Sequence, residues 1–212
     1  FLMSIRLKSG GRLVNRASQV EFNFNGKRLF GHEGDTLASA LLANDQMLVG
    51  RSFKYHRPRG IVASGAEEPN ALMNMGEGVK FEPNQRATTT ELFDGLSVGS
   101  QNHWPSLEYD IGAVNGLFAR FLSAGFYYKM FIHPRPFWKH IYEPFIRQSA
   151  GLGKAPTEKD ADTYEHLYAF YHVVVIGGGI AGLQAARTAA ASGASVLVME
   201  QTAHWGGRAV VD

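Results

Sequence analysis

Val173-Val174-Val175-Ile176-Gly177-Gly178-Gly179-Ile180-Ala181-Gly182 is the stretch that decides how the sequence folds. Four consecutive apolar residues, rich in β-branched side chains, suit a strand buried on both faces of a parallel sheet. They run directly into Gly-x-Gly-x-x-Gly, in which each glycine has a separate physical task. Gly177 permits the tight turn, Gly179 lets the backbone approach a pyrophosphate, and Gly182 lets the next helix pack closely on the sheet. Phosphates would then sit at the helix N-terminus, where free N–H groups and the helix dipole favour negative charge.

The flanking residues strengthen this reading. Leu183 to Ser192 is alanine-rich, which favours helix and keeps the sheet-facing side thin, and Gly193 can end it. A second buried-type strand, Ser195 to Met199, closes on Glu200, at the spacing where an acid accepts hydrogen bonds from the adenosine ribose. Gly206-Gly207-Arg208 adds a second glycine pair of the kind two-dinucleotide flavoproteins carry. The expected element is therefore the first βαβ of a Rossmann-type FAD/NAD(P)-binding domain over 172–212. Two strands are fewer than a doubly wound half requires, so the chain is expected to be the front part of a longer polypeptide.

With 212 residues, 45% apolar and 19% charged, the chain is long enough for one large or two small cores. A net charge of +2, even with a pI near 8.8, is too small to call for nucleic acid or an anionic membrane as partner. Zero cysteines exclude disulfides and thiolate metal sites, which fits a reducing compartment. With no charged-then-apolar leader and no uncharged apolar run of about 20 residues, a soluble cytoplasmic protein is the expectation.

The first hundred residues follow different rules. Val20 to Phe24 alternates apolar and polar, Asn25-Gly26 supplies a two-residue hairpin turn, and Lys27 to Phe30 returns. Asp35 or Thr36 can cap a helix over Leu37 to Ala43, ended by Asn44-Asp45. Short strands are expected at Leu72 to Met75, Val79 to Phe81 and Thr88 to Phe93. Hairpin, helix and later strands read as a small α+β domain of the β-grasp type over 1–99.

At this point the order of motifs resembles a known family. The hairpin, Gly34-Asp35-Thr36-Leu37, Ala40 to Asn44, Arg51 to Gly60, Gly65 to Leu72 and Gln101 to Ser106 are similar to the amino-terminal ferredoxin-like domain of heterotetrameric sarcosine oxidase alpha subunits. The glycine motif lies where that family has it. Related dehydrogenase subunits carry a [2Fe–2S] cluster in this domain on a Cys-x₄-Cys-x₂-Cys run and a fourth cysteine. The three run positions align with Ala63, Glu68 and Ala71, so the resemblance implies a cysteine-free, structural domain without a cluster.

The resemblance also implies a function. In that family the alpha subunit holds NAD at its nucleotide motif, and amine oxidation occurs at FAD on the beta subunit. FMN is a further cofactor, and tetrahydrofolate accepts the one-carbon unit as sarcosine is demethylated and hydrogen peroxide is formed. Carried onto this sequence, Gly177, Gly179, Ala181 and Gly182 would lie near the pyrophosphate, Glu200 and Gln201 near the adenosine, and Gly207 and Arg208 would close the site. FAD at this motif is the less favoured alternative. The expected partners are the beta, gamma and delta subunits, with neither nucleic acid nor membrane. His172 departs from the pattern, since an acid is common just before the first strand. An amine or opine dehydrogenase alpha subunit, or a non-catalytic nucleotide-holding scaffold, are the other readings.

Three further features have plainer readings. Arg51, Lys54, Arg57 and Arg59, interleaved with Tyr55 and His56, could follow a phosphate backbone, but bracing a long loop is the better reading in a near-neutral chain. Val114, Leu117, Phe118, Phe121 and Leu122 recur at helical spacing. Aromatic residues continue through Phe126, Tyr127, Tyr128, Phe131, Phe137, Trp138, Tyr142 and Phe145. Pro134, Pro136 and Pro144 break this run, which reads as a helical connector over 100–171 with an exposed stretch at Ser149 to Asp162. The eight histidines show no paired metal-ligand spacing, no nucleophile motif occurs, and no catalytic constellation or metal site is assigned.

Overall fold

The computed structural model describes residues 5–120, 125, 131, 133–149 and 156–210. It divides into two compact units, Phe1–Lys8 with Val14–Asp160, and Ser9–Leu13 with Ala161–Asp212.

The first unit is built on the hairpin. Strand β1 (Asn15–Phe24) pairs antiparallel with β2 (Lys27–Glu33) across Asn25-Gly26, whose φ values of 50° and 80° make the primed turn that matches strand twist. Gly26 N–H donates to Asn23 Oδ1 at 2.8 Å, which fixes the register. Helix α1 (Leu37–Ala43) follows, capped by the Thr36 hydroxyl, which accepts from Ser39 N–H. Its buried carboxylate neighbour Asp35 instead receives a bidentate contact from Arg6 at 2.9 and 2.6 Å and a hydrogen bond from the Ser39 hydroxyl. Asn44 ends the helix by donating its side-chain amide to Ala40 O and Phe30 O.

Beyond the two-residue strands β3 (Gly50–Arg51) and β4 (Pro58–Arg59), the sheet is completed by β5 (Leu72–Met75), β6 (Glu82–Arg86) and β7 (Leu96–Gly99). The order is β2-β1-β7-β5-β6, with β1 and β7 parallel and the other pairs antiparallel. A hairpin, a helix over one sheet face and a parallel return strand make the β-grasp arrangement. Alternation along β1 places Phe22 and Phe24, each 1% exposed, in a core with Leu37, Leu41, Val49, Met73, Leu96 and Val98. Leu107 joins the same core.

Two strand expectations are corrected. Val79 to Phe81 is not a strand: Gly78–Lys80 forms a 3₁₀ turn, with Gly76 and Gly78 at φ 70° and 56°, and the strand begins at Glu82. Thr88 to Phe93 is not a strand either. Its hydroxyls donate to main-chain carbonyls, Thr88 to the distant Gly65 O and Thr89 and Thr90 to the nearby Arg86 O, and the local pair of bonds competes with a ladder. Only the Thr36–Glu91 bridge remains there, and the pairing strand is β7.

In the aromatic stretch, Ile111–Phe118 is a 3₁₀ run rather than an α-helix, with Gly112 and Gly116 lowering α-propensity and Asp110 accepting from Gly112 N–H at its start. Val114, Leu117 and Phe118 are exposed. Phe121, Leu122, Phe126, Tyr127 and Tyr128 lie outside the described residues, as does part of the polar stretch after Ser149. Farther on, a single turn α2 (Arg135–Phe137), a π-helical turn Trp138–Tyr142 and α3 (Glu143–Ser149) follow one another, the prolines falling before or within first turns. Tyr142 packs against Phe131 and Phe137, with ring centroids 5.1 and 6.3 Å apart.

The second unit holds β8 (Val173–Ile176), α4 (Ile180–Ala191) and β9 (Val196–Met199). The strands are parallel, in register from Val173–Val196 to Ile176–Met199. Gly193, at φ 85°, ends the helix region as the sequence indicates. Burial of β8 on both faces is not observed. Val173 and Val175 are half-buried, whereas Val174 and Ile176 are 52% and 86% exposed. No helix among the described residues is long and apolar enough to cross a membrane.

Candidate dinucleotide site

The site begins where β8 runs out. Gly177 turns the chain at φ 104°, and its N–H donates to Met199 O at 2.8 Å, extending the strand pairing by one bond. Helix α4 starts after Gly179 with no side-chain cap, and its first internal hydrogen bond runs from Leu183 N–H to Gly179 O at 2.9 Å. The N–H groups of Ile180, Ala181 and Gly182 therefore have no acceptor within the helix, and the positive end of its dipole lies at the glycine turn. This is the chemistry that receives a phosphate anion.

The glycines differ in what surrounds them. A Cβ on Gly182 would lie 1.9 Å from Gly177 O, so only glycine lets the helix come this close to the turn. At Gly179 a Cβ would meet nothing within 4 Å, and the open space there is what an approaching ligand needs. Gly178 is constrained from above: a Cβ would come 2.4 Å from the Trp205 ring.

Glu200 closes β9 and reaches back to this turn. Its Oε2 accepts from Gly178 N–H at 2.6 Å, and its Oε1 accepts from Thr202 N–H at 2.9 Å and lies 3.0 Å from the Thr202 hydroxyl. The Thr202 and Gly178 amides, with the Thr202 hydroxyl, hold this carboxyl below the usual glutamate range, so it is an ionised acceptor at neutral pH. A carboxylate offers about four acceptor positions, so room remains for a ribose hydroxyl. The Gly206-Gly207 pair lies beside the turn. Gly206 N–H donates to Gly178 O at 2.8 Å, Gly206 bridges Gly179, and Gly207 sits at φ 55° against Gly179.

The structure thus brings Gly177, Gly179, Gly182, Glu200 and Gly207 together, with Ala181 on the first turn of α4. Gln201 and Arg208 have exposed side chains. The sequence pattern alone does not single out Gly178, Thr202 and Trp205, which the structure places at the turn. A threonine two residues after an acid is a signal for such a turn, since its backbone and hydroxyl can both return to the carboxylate. His172 has a local role: its N–H donates to Ser195 Oγ, and its Nδ1 accepts from Ser195 N–H at 3.0 Å, tying the starts of the two strands.

In the first unit part of the basic run is held by the chain's own groups, while Arg59 is exposed. Arg51 donates to Leu107 O, His56 O and Glu108 O, while Lys54 and Arg57 lie over the Tyr55 ring, each 4.9 Å from its centroid. Among the described residues no group of three histidines or acids could hold a metal ion.

Residues 17–103 match the family described as "2Fe-2S iron-sulfur cluster binding domain", and residues 172–212 the one described as "FAD dependent oxidoreductase". The sarcosine oxidase subunit alpha of Rhizobium meliloti (strain 1021) is 55% identical over 211 residues, covering 100% of this chain and 21% of its own length. That of Corynebacterium sp. (strain U-96) is 30% identical over 203 residues, covering 94% of this chain and 16% of its own length. Among solved structures, L-proline dehydrogenase from P. horikoshii aligns with a TM-score of 0.44 at 19% identity, over 93% of this chain and 28% of that one. The chain spans about a fifth of the length of the curated relatives it matches. On this similarity the chain belongs to the family of sarcosine oxidase alpha subunits and corresponds to their amino-terminal part.

Proposed function

We propose that this chain is the amino-terminal part of the dinucleotide-holding subunit of a flavoenzyme that oxidatively demethylates sarcosine to glycine, with tetrahydrofolate as one-carbon acceptor and hydrogen peroxide as product. The partners in this proposal are beta, gamma and delta subunits, and FAD and FMN serve the assembled enzyme. The carrying observation is Glu200, anchored on Gly178 N–H so that its ionised carboxylate faces the turn beside the free amides of α4. In this reading NAD lies with its pyrophosphate at Gly177, Gly179, Ala181 and Gly182 and its adenosine ribose on Glu200. The similarity of 172–212 to FAD-dependent oxidoreductases supports FAD, and not NAD, for the same cradle, so FAD is the reading that competes with NAD here. Either group would supply a ring that exchanges a hydride. This chain's part is to neutralise the pyrophosphate with amides and to orient the ribose.

Denaturing the purified full-length assembly and identifying the released dinucleotide by mass spectrometry separates the two. For NAD, calorimetry on the stripped protein is expected to favour NAD over NADP by about tenfold or more, because Glu200 would meet a 2′-phosphate with like charge. Glu200→Ala is expected to erase that preference. Equal affinities in the wild type, or an unchanged preference in the variant, would remove Glu200 from this role. Peroxide release with sarcosine but not with opines tests the substrate part of the proposal.

A further inference from the structure

The loop between β4 and β5 folds around an anion that belongs to the chain itself. Glu68 is 1% exposed, yet no cation touches its carboxylate among the contacts of the described residues. Four backbone N–H groups hold it instead: Val62 at 2.8 Å and Ala63 at 2.7 Å on Oε2, Asn70 at 2.7 Å and Ala71 at 3.2 Å on Oε1. Arg86 donates to the Glu68 main-chain carbonyl, not to the carboxylate. Converging amides of this kind form an anion nest, the device that also surrounds many iron–sulfur centres.

The residues do not fit the cluster that the similarity over 17–103 suggests. A [2Fe–2S] centre needs four ligands and this sequence has no cysteine. Of the three positions aligned with cluster ligands, Ala63 and Ala71 offer only backbone N–H groups, and both are directed to the carboxylate at the third, Glu68. We infer that the Glu68 carboxylate is the fixed internal anion on which residues 62–71 are built. It meets the amides that would otherwise be buried without acceptors, so the domain keeps its fold with a loop that has no redox function. Removing the carboxylate leaves four inward-facing donors and a space of carboxylate size, which a small exogenous carboxylate such as formate can enter.

The test is made in the full-length alpha chain within its assembled enzyme. Hydrogen exchange of the peptides covering 61–72 is followed in wild type, Glu68→Ala and Glu68→Gln, with and without added formate, and with chloride at equal ionic strength. In Glu68→Ala these amides are expected to exchange roughly tenfold faster or more, and formate but not chloride restores protection. Wild type is indifferent to formate. Glu68→Gln keeps the shape but turns an NH₂ group toward two of the donors, so it exchanges faster with no formate rescue. Should the alanine variant not assemble, the glutamine variant decides. Wild-type protection in either variant, Glu68→Ala without formate rescue, or stoichiometric iron and labile sulfide in anaerobically purified wild type would overturn the inference.

Discussion

Asp110 shows how much a single carboxylate can organise. Its side chain is fully buried and accepts from Trp104 N–H and Gly112 N–H, both at 3.0 Å. It also meets His56 Nδ1 at 2.7 Å and has Arg51 Nε 3.7 Å away. Burial alone would raise its pKa, but Trp104 N–H, His56 and Gly112 N–H outweigh burial and leave it below the usual aspartate range. A depressed folded-state pKa contributes stability above the unfolded value of about 3.9, and this is lost as pH falls through the folded value. Asp110→Asn is therefore expected to cost about 2–4 kcal/mol in urea unfolding at neutral pH, as for a broken buried charge network. The gap to wild type should shrink on acidification, and a gap that stays constant would show that the negative charge is not what matters. Little of this was legible beforehand. Arg51 and His56 stand out as a basic cluster, but their partners Leu107, Glu108 and Asp110 lie more than fifty residues away, and neither composition nor local spacing reveals a partner at that separation. Glu200 was legible because its spacing from the glycines is set by one helix and one strand, whereas Trp205 against Gly178 depends on a turn with no fixed period.

At the scale of elements, local signals served well where the chain's own chemistry closes the element. Asn25-Gly26 fixed the hairpin, and Thr36 with Asn44 bounded α1 at Leu37 and Ala43. They failed where side chains compete with the ladder, as at Thr88 to Thr90, or where glycines soften a helical pattern, as at Ile111–Phe118. The glycine turn offers a test that separates folding from binding. Gly179 has φ −71° and open space at its Cβ position, so Gly179→Ala should leave the stability of the full-length subunit within about 0.5 kcal/mol of wild type. Its added methyl should still weaken dinucleotide binding, because it projects where the backbone must be approached. Gly182→Ala meets Gly177 O at 1.9 Å, so it must push α4 away and cost about 1–3 kcal/mol of stability as well as binding. Calorimetric melts and dinucleotide titrations of the two variants check this. Equal stability losses would mean that the two glycines have not divided these tasks.

At the scale of the whole molecule, the question is which parts of the proposed amine oxidation this chain would supply. The first unit has a core and an internally held loop, and its ionisable clusters are engaged with main-chain groups: Arg51 on three carbonyls, Glu68 on four amides, Asp110 on two. The second unit has the glycine turn and Glu200, whose partners among the described residues are Gly178 and Thr202 rather than a base or an amine-binding group. Its β8 and β9 pair only with each other among the described residues, and Ile176 remains exposed on the sheet. A cradle without an acid–base pair can hold and orient a dinucleotide, but it gives no means of choosing or deprotonating an amine. Residues 1–212 alone, supplied with FAD and FMN, are therefore expected to release neither peroxide nor formaldehyde from sarcosine. Turnover should return when the full-length alpha chain is combined with the other subunits. The measurement is a coupled peroxide assay beside a formaldehyde assay on the same preparations, with denatured fragment and free flavin as blanks. Flavin-dependent turnover by the fragment would move catalysis into residues assigned here to structure, the His56–Asp110 pair first, because its 2.7 Å contact is the one place in the described residues where a histidine is oriented by a buried acid.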